Sequence, residues 1–475
     1  MLLRRIYDED LAQAAYLLGC EHAGDAIVID PGRDIERYIV AAEQAQLRIA
    51  YVTETHIHAD FASGARELAE HMGATLLLSG EGGADWSYRF AGAAHARLLK
   101  HGDTIRVGDV SVEVLHTPGH TPEHLTFLVT DLATAALAVG ALTGDFIFVC
   151  DVGRPDLLER AANVSGSMDG AARSLFTSIQ QFKTLPGHLQ LWPGHGAGSA
   201  CGKSLGAMPQ STLGYERLSN WAFQETDIDD FVTTVLAGQP EPPTYFATMK
   251  VMTRDGVPSL GTLRLPVRLD PASLVPLLEG GAIVIDARPA TEFAAGHVAG
   301  TVNIPLNRSF STWAGWLLDY DRDVYLIVNG SDDTAVRRAT RALASIGYDR
   351  VAGVFGPDAV DASDAAGFEI GQIPQMSIRA LEARMSAGDI HVIDVRGESE
   401  WREGHVPGAE NLPVGLLQRR LAEIPAGHTV AVMCQGGGRS AIAASILAAS
   451  GRRDVANVQG GFRAWSELGL PVERP

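Results

Sequence analysis

Short runs of apolar and β-branched residues alternate with polar and helical stretches throughout the first half of the chain. Each run is long enough for one strand, and the runs cover residues 26–29, 49–53, 75–78, 110–115, 135–142 and 189–192. Such runs predict buried strands, and their alternation with helical patterns predicts an α/β fold. Histidines and aspartates follow directly after several runs, in the loops at strand ends where α/β folds commonly build sites.

The second half of the chain repeats one pattern after 108 residues. The order Asp-x-Arg, Gly-His-Val, Asn-x-Pro starts at Asp286 in the first copy and at Asp394 in the second. Each copy also carries a helical pattern, at 335–344 and at 440–449. The repeat predicts two copies of one domain with a parallel α/β sheet. We expect the recurring aspartates, arginines and histidines to be buried structural partners.

A proline-rich segment at 239–243 lies between the two halves and is typical of the start of a linker. We place the domain boundary between about 245 and 265. The sequence then predicts three domains, at 1–250, 265–370 and 371–475.

The chain has 475 residues and a formal net charge of −19. This charge argues against nucleic acid or an anionic membrane as a partner, because both would be repelled. An anionic substrate must therefore be held by local positive groups. Four widely spaced cysteines, and no apolar segment of about 20 residues, predict a protein of a reducing, cytoplasmic compartment.

Four of the predicted strands are followed by residues that can bind a metal. His56 and His58 follow the second run, His120 the fourth, Asp145 the fifth and His195 the last. His56 and His58 are two residues apart, so on an extended chain they point to the same side. Imidazole and carboxylate groups suit iron and zinc alike, so these residues predict a metal centre and leave the metal open.

Three further motifs contain candidate ligands: Pro-Gly-His at His120, Thr-Gly-Asp at Asp145 and Pro-Gly-His at His195. Through these motifs, residues 1 to about 245 resemble the metallo-β-lactamase fold, an αββα sandwich. Hydrolases of that fold typically contain HxHxDH, and here Phe61 replaces the last histidine. A phenyl ring cannot bind a metal. The second metal position of a two-metal hydrolase is therefore damaged in this chain.

The stretch Asp-Val-Gly-Arg-Pro-Asp-Leu at 151–157 resembles the persulfide dioxygenase branch of this fold. The resemblance implies one Fe(II) per chain, held by His56, His120 and Asp145, with positions open for O2 and substrate. Arg154 is expected to pair with an anionic group of the substrate. The residues expected to surround the metal, where they orient its ligands or bind water, are His58, Asp60, His195 and Cys201.

Cys434 ends an apolar run and opens a glycine-rich loop that a helical pattern follows. The loop predicted to bind an anion or a persulfide comprises Gln435, Gly436, Gly437, Gly438 and Arg439. Its glycines allow backbone N–H groups to turn toward the sulfur, and the helix adds its positive end. Such a loop stabilises an anionic sulfur, so Cys434 is predicted to be a persulfide-forming nucleophile.

Through the three shared motifs, both copies resemble the rhodanese (sulfurtransferase) domain. In the first copy Val328 aligns without a gap with Cys434, and the loop after it carries Asp332 and Asp333. Valine has no nucleophilic group, and two aspartates repel an anion. We therefore expect an inactive first copy, serving as a spacer or an interface, and an active second copy.

The whole chain resembles the fused persulfide dioxygenase–sulfurtransferases of bacterial sulfide detoxification. The resemblance implies that O2 oxidises a small thiol persulfide, such as glutathione persulfide, to sulfite. Sulfur transfer through Cys434 would then give thiosulfate, and a homo-oligomer is expected. Three alternatives remain open: a metal-dependent thioester hydrolase of the glyoxalase II kind, a stand-alone thiosulfate sulfurtransferase, and a sulfur carrier for a partner protein.

Overall fold

The computed structural model describes residues 1–160, 166–203, 205–330 and 332–474. They divide into two compact units, the first made of Met1–Thr262 with Ala344–Gly347 and the second of the remaining described chain from Leu263. The first unit thus extends beyond residue 250, and both repeats belong to one unit. Within the described ranges, no helix is long and apolar enough to cross a bilayer.

Two six-stranded sheets form the centre of the first unit. The first sheet contains, in this order, β1 (Leu2–Asp8), β2 (Gln13–Cys20), β3 (Asp25–Ile29), β4 (Arg48–Thr53), β5 (Thr75–Ser79) and β6 (Arg97–Leu99). The second contains, in this order, β7 (Thr104–Val107), β8 (Val110–His116), β9 (Leu125–Asp131), β10 (Ala138–Gly144), β11 (Gln190–Pro193) and β12 (Ser211–Thr212). The six predicted strands are confirmed as β3, β4, β5, β8, β10 and β11.

The core of the first unit lies between these sheets because their strands turn alternate apolar residues inward. In β8, for example, Val110, Val112 and Val114 are fully buried, and they pack with Ile27 of β3 and Phe127 of β9. The helices of this unit are α1 (Glu36–Gln44), α2 (Ala65–Met72), α3 (Leu157–Arg160), α4 (Met168–Phe182), α5 (Leu213–Ser219), α6 (Trp221–Gln224), α7 (Ile228–Leu236) and α8 (Tyr245–Asp255). Helices α1 and α2 cover one sheet and α4 to α7 the other, which confirms the predicted αββα sandwich.

The change of unit follows the proline-rich segment 239–243 only at Thr262 and Leu263, within the range of 245 to 265 given above. The segment leads into α8, which belongs to the first unit. Tyr245, at the start of α8, donates its hydroxyl to the carbonyl of Asp60 at 3.1 Å. Prolines before the helix are compatible with this arrangement because proline is accepted at or before a first helical turn.

Each repeat of the second unit contains a parallel sheet, as predicted. The first repeat has β13 (Ile283–Asp286), β14 (His297–Val298), β15 (Val302–Asn303), β16 (Val324–Ile327), β17 (Val351–Phe355) and β18 (Ile370–Gly371), with α9 (Leu274–Glu279), α10 (Ala290–Ala295), α11 (Phe310–Leu317), α12 (Asp333–Ser345) and α13 (Asp358–Ala365). The second has β19 (Gln375–Met376), β20 (Ile390–Asp394), β21 (Glu410–Asn411), β22 (Thr429–Met433) and β23 (Val455–Val458), with α14 (Ile378–Ala387), α15 (Glu398–Glu403), α16 (Gly438–Ala449) and α17 (Gly461–Glu467). The parallel sheets have the orders β15-β13-β16-β17 and β19-β23-β22-β20-β21, and β14 pairs with β18 separately.

The recurring charged residues are structural, as expected. In the second repeat Arg396 forms a buried two-pronged ion pair with Asp394, at 2.6 and 2.9 Å. Arg288 and Asp286 repeat this pair in the first repeat. These pairs fix the turns after β13 and β20, and the aspartate and arginine side chains are buried.

Helix α16 of the second repeat packs against β15 of the first. Ser445 on α16 accepts a hydrogen bond from the backbone N–H of Asn303 at 3.0 Å, in a buried position. The repeats also meet where Trp316 of α11 packs closely on Gly415, at which a Cβ would come within 2.4 Å of the indole. The two repeats are therefore in direct contact through α16 and through α11.

Candidate active sites

The candidate metal-binding residues lie in loops that leave three different strands. His56 follows β4, His120 follows β8 and Asp145 follows β10. Their side chains are at most 3% exposed. The fold thus brings together, in the interior, three residues that are far apart along the sequence.

The three side chains have the spacing of a metal site. His120 Nε2 lies 3.5 Å from Asp145 Oδ2, and His56 Nε2 lies 4.0 Å from the same oxygen. One ligand atom from each residue falls within 4.8 Å of the other two. One ion could therefore contact all three residues.

Neighbouring groups determine which nitrogen of each imidazole is free. The Thr55 hydroxyl donates to Asp30, so Thr55 Oγ1 accepts the N–H of His56 Nδ1 at 2.9 Å. His120 Nδ1 donates to the carbonyl oxygen of Arg154 at 3.0 Å. In both rings the proton is held on Nδ1, which leaves the Nε2 lone pair directed at the site.

The electrostatics of this group fit a divalent cation. Both oxygens of Asp145 are buried, and neither has a hydrogen-bond partner among the described residues. Burial lowers the pKa of His56 and of His120 below the ordinary value, so both imidazoles are neutral. A buried carboxylate beside two neutral nitrogen lone pairs is costly unless a positive ion compensates it.

Asp60, His195 and Cys201 form a second buried group next to the first. His195 Nε2 lies 3.1 Å from Asp60 Oδ2 and 3.5 Å from Asp145 Oδ1, while its Nδ1 donates to the Ala12 carbonyl. Burial alone would lower the pKa of His195, but Asp145 and Asp60 raise it well above its usual value. His195 Nε2 therefore faces both carboxylates and lies closer to Asp60 than to Asp145.

Phe61 occupies the position at which a hydrolase would supply another histidine. It is fully buried, and its ring packs against His58 with 4.3 Å between the centroids. His58 Nε2 lies 3.1 Å from Asp30 Oδ1. Burial opposes protonation, but Asp30 raises the pKa of His58 to about 9. His58 is therefore a cation paired with Asp30, beside the three candidate ligands.

The expectation that Arg154 binds the substrate is wrong. Its side chain is fully buried, and Nε and Nη2 donate to the two oxygens of Asp156, each at 2.7 Å. Nη1 lies 3.4 Å from the Ala200 carbonyl. A guanidinium that is paired and excluded from solvent cannot meet an incoming anion. The residue contributes through its backbone, since its carbonyl holds the His120 N–H.

The Cys434 loop directs backbone donors at the sulfur, as the glycines predict. Gly437 N–H donates to Cys434 Sγ at 3.1 Å, and Ser440 Oγ lies 3.5 Å from the sulfur. Gly437 has a φ of 105°, a left-handed conformation that favours glycine. The sulfur also lies at the N-terminus of α16, whose free N–H groups stabilise negative charge.

Two residues outside the loop hold it in place. Arg439 donates to both oxygens of Glu400, at 2.5 and 2.8 Å, so its charge is balanced inside the protein. Gln435 accepts a hydrogen bond from Arg396 at 3.3 Å. Arg439 thus closes the loop, and its positive charge is largely neutralised by the Glu400 carboxylate.

The first repeat has no nucleophile in the corresponding position. Val328 follows β16 as Cys434 follows β22, and it is 1% exposed. Asp332 and Asp333 are exposed at the start of α12. The alignment that pairs Val328 with Cys434 is therefore confirmed by the fold.

Sequence reasoning missed several residues that support the two sites. Asp30 and Thr55 orient His56, and His124 Nε2 accepts the backbone N–H of Asp145 at 3.1 Å. Glu400 binds Arg439. Asp30 directly follows β3, the neighbour of β4. Its position at a strand end could therefore have predicted that it lies at the site. Glu400 recurs in the repeat, 108 residues after Glu292, but this recurrence alone did not indicate that it binds Arg439.

Family comparisons agree with this architecture. The model described as "Metallo-beta-lactamase superfamily" matches residues 8–195. The model described as "Rhodanese-like domain" matches twice, at 270–355 and at 377–468. The two families together account for most of the chain, one in each half.

Individual proteins resemble different parts of the chain. "Persulfide dioxygenase ETHE1, mitochondrial" of Bos taurus is 29% identical over 198 residues, which cover 41% of this chain and 68% of that protein. A sulfurtransferase of Allochromatium vinosum is 37% identical over 104 residues, which cover 22% of this chain and 97% of that protein. The crystal structure of a metallo-beta-lactamase from Staphylococcus aureus subsp. aureus COL is 42% identical, with a TM-score of 0.68. It covers 75% of this chain and 99% of that one.

Proposed function

Because the chain belongs to the metallo-beta-lactamase superfamily over residues 8–195 and to the rhodanese family in its second half, we propose that it is a persulfide dioxygenase joined to a sulfurtransferase. One observation carries the proposal: a buried His-His-Asp group and a thiol in an N–H-donating loop occur in the same chain. The similarity of the first half to a persulfide dioxygenase, and of another segment to a sulfurtransferase, supports it.

In this proposal His56, His120 and Asp145 hold one Fe(II). When bound there, iron would supply the capacity to activate O2 beside a sulfur substrate, because three protein ligands leave coordination positions open. Thr55 and the Arg154 carbonyl keep the imidazole protons on Nδ1, away from the metal. Phe61 removes a ligand that a second metal would use, which disfavours a two-metal hydrolase.

In the second repeat, Cys434 is proposed to carry sulfur as a persulfide. Its thiolate attacks the outer sulfur of a donor R–S–SH, forming a new S–S bond while the donor S–S bond breaks and R–SH leaves with the proton. Sulfite then attacks the outer sulfur on Cys434 and leaves as thiosulfate, which regenerates the thiolate. Gly437 N–H and the start of α16 stabilise the anionic sulfur in each state.

Substrate oxidation by the wild-type protein tests this function. With glutathione persulfide as substrate, an oxygen electrode should record O2 uptake, and ion chromatography should detect thiosulfate. With S-lactoylglutathione, a thioester, we expect no hydrolysis above background. Rapid thioester hydrolysis without O2 uptake would instead support the glyoxalase II kind of activity.

The first repeat should tolerate a polar residue at the nucleophile position. Val328→Ser adds a hydroxyl that stays protonated at neutral pH and cannot form a persulfide. Because Val328 is buried, we expect a loss of stability of about 1–3 kcal/mol, with thiosulfate formation per folded molecule unchanged. Urea unfolding and a sulfurtransfer assay measure the two effects. Loss of transfer in a folded variant would assign the first repeat a role in the chemistry.

A further inference from the structure

A cavity of about 620 Å³ opens above Cys434, and the first repeat supplies one side of it. From the second repeat, Cys434, Arg439 and Ile442 line this cavity. Residues of the first repeat that line it, here called the first-repeat wall, include Pro289, Thr291, Asn307, Ser309 and Trp313. The cavity is far larger than an inorganic sulfur anion needs, and its volume is typical of sites for organic ligands.

The charge of the cavity also disfavours a small dianion. Arg439 is the only charged side chain among the described residues that line it, and Glu400 balances that charge at 2.5 and 2.8 Å. The remaining lining is apolar or neutral. In this cavity a thiosulfate dianion would accept hydrogen bonds only from the N–H groups of the loop, and its second negative charge would have no positive partner.

The first-repeat wall has the chemistry of a binding surface for an organic group. Trp313 is partly exposed and offers an indole face, on which an amide or alkyl group can pack. Thr291, Asn307 and Ser309 are exposed neutral hydrogen-bonding residues. The Asn307 side chain is oriented by Ser309, whose backbone N–H donates to Asn307 Oδ1 at 2.8 Å.

The wall and the nucleophile lie on elements that meet at the contact between the repeats. Ser445 of α16 binds the backbone of Asn303 in a buried contact, and Trp316 of α11 packs against Gly415. Trp313 lies on the same helix, α11, one turn before Trp316. The helix that begins at the Cys434 loop and the helix that carries Trp313 are thus both fixed at the contact between the repeats.

We propose that the inactive first repeat is the specificity element of the Cys434 site, and that it selects organic persulfides with a peptide-sized thiol group over thiosulfate as the sulfur donor. This inference rests on the proposed role of Cys434 as a sulfur carrier. The donor's terminal sulfur reaches Cys434 on the loop, while its amide and alkyl groups lie on the first-repeat wall. Sulfite then attacks the outer sulfur on Cys434, and the lack of a free positive charge in the cavity favours release of the thiosulfate dianion that forms.

Loading of Cys434 under anaerobic conditions tests the proposal on the full-length protein. Mass spectrometry of the Cys434 peptide after quenching gives the rate at which one sulfur atom is added, independently of the iron reaction. We expect the second-order rate constant for loading of the wild-type protein to be at least about tenfold higher with glutathione persulfide than with thiosulfate. Trp313→Ala should lower the rate constant for glutathione persulfide about tenfold, mainly by raising the donor concentration that gives half the maximal rate, and the rate constant for thiosulfate clearly less.

Two further variants keep this result interpretable. Trp313→Phe should recover most of the lost efficiency, because it restores an aromatic face. Arg350→Ala, at an exposed ion pair with Asp323 on the same repeat, should change neither donor. Equal losses for both donors in Trp313→Ala, or no loss for either, would overturn the specificity role alone. Loading of wild-type Cys434 by neither donor would overturn the sulfur-carrier function and this inference together.

Discussion

Replacing Cys434 by serine should change the product of the reaction while O2 uptake continues. The serine hydroxyl has the shape of the thiol but stays protonated at neutral pH and cannot hold a sulfane sulfur. Thiosulfate formation should therefore fall by a factor on the order of 10³ or more. The candidate iron ligands belong to the other unit of the chain, so O2 should still be consumed and sulfite should accumulate.

An oxygen electrode combined with ion chromatography of sulfite and thiosulfate measures both effects in one sample. Cys20→Ser is the matched control, because Cys20 is a buried cysteine of the first unit whose sulfur accepts the Asp109 N–H. This control should form thiosulfate normally. If Cys434→Ser stops consuming O2 while it keeps its iron and its fold, Cys434 must feed the dioxygenase. The proposed order of steps would then be wrong.

Removing His120 should abolish the oxidation and leave the sulfur transfer. His120→Ala takes away one of three proposed ligands and leaves His56 as the one imidazole in the proposed ligand set. We expect the protein to lose most of its iron and at least about 100-fold of its O2 uptake, since loss of even an outer ligand contact commonly costs 10–100-fold. Loading of Cys434 by a persulfide should be unchanged.

His116→Ala is the control for this variant. His116 stands four residues earlier, and its Nε2 contacts the Pro122 carbonyl at 2.7 Å instead of the candidate ligands. It should keep both iron and O2 uptake. If His120→Ala retained its metal, or if His116→Ala lost it, the assignment of His120 as the ligand of this loop would fail.

Much of this molecule was predictable because its strands are strongly apolar. Strands β3, β4 and β10 were found from composition alone, since the sandwich buries them. Strand β1 was missed because it carries Arg4 and Arg5 and lies at the edge of its sheet, with every residue only partly buried. Helix α8 was hidden by the prolines before it. The local sequence therefore predicts buried strands well. It predicts less well a segment whose helical structure depends on packing against residues distant along the chain.

In the candidate sites, too, residues next to apolar strands were predictable, and contacts that depend on tertiary packing were not. His56, His120 and Asp145 were found because each follows an apolar run, and strand ends meet where sites form. Arg154 was misjudged, since a motif shows that a cation is present but not that Asp156, two residues later, binds it in the interior. The first-repeat wall could not be predicted at all, because it depends on the packing of two repeats whose contacts are distant along the chain.

The central claim is that the first unit is an iron-dependent persulfide dioxygenase. The most direct test measures metal content and O2 uptake on the same anaerobically purified full-length protein. We predict about one iron per chain, little zinc, and an initial rate of O2 uptake on glutathione persulfide that rises in proportion to iron occupancy. The second group, Asp60, His195 and Cys201, should hold no additional tightly bound ion. Two tightly bound zinc ions per chain, with thioester hydrolysis and no O2 uptake, would contradict the account.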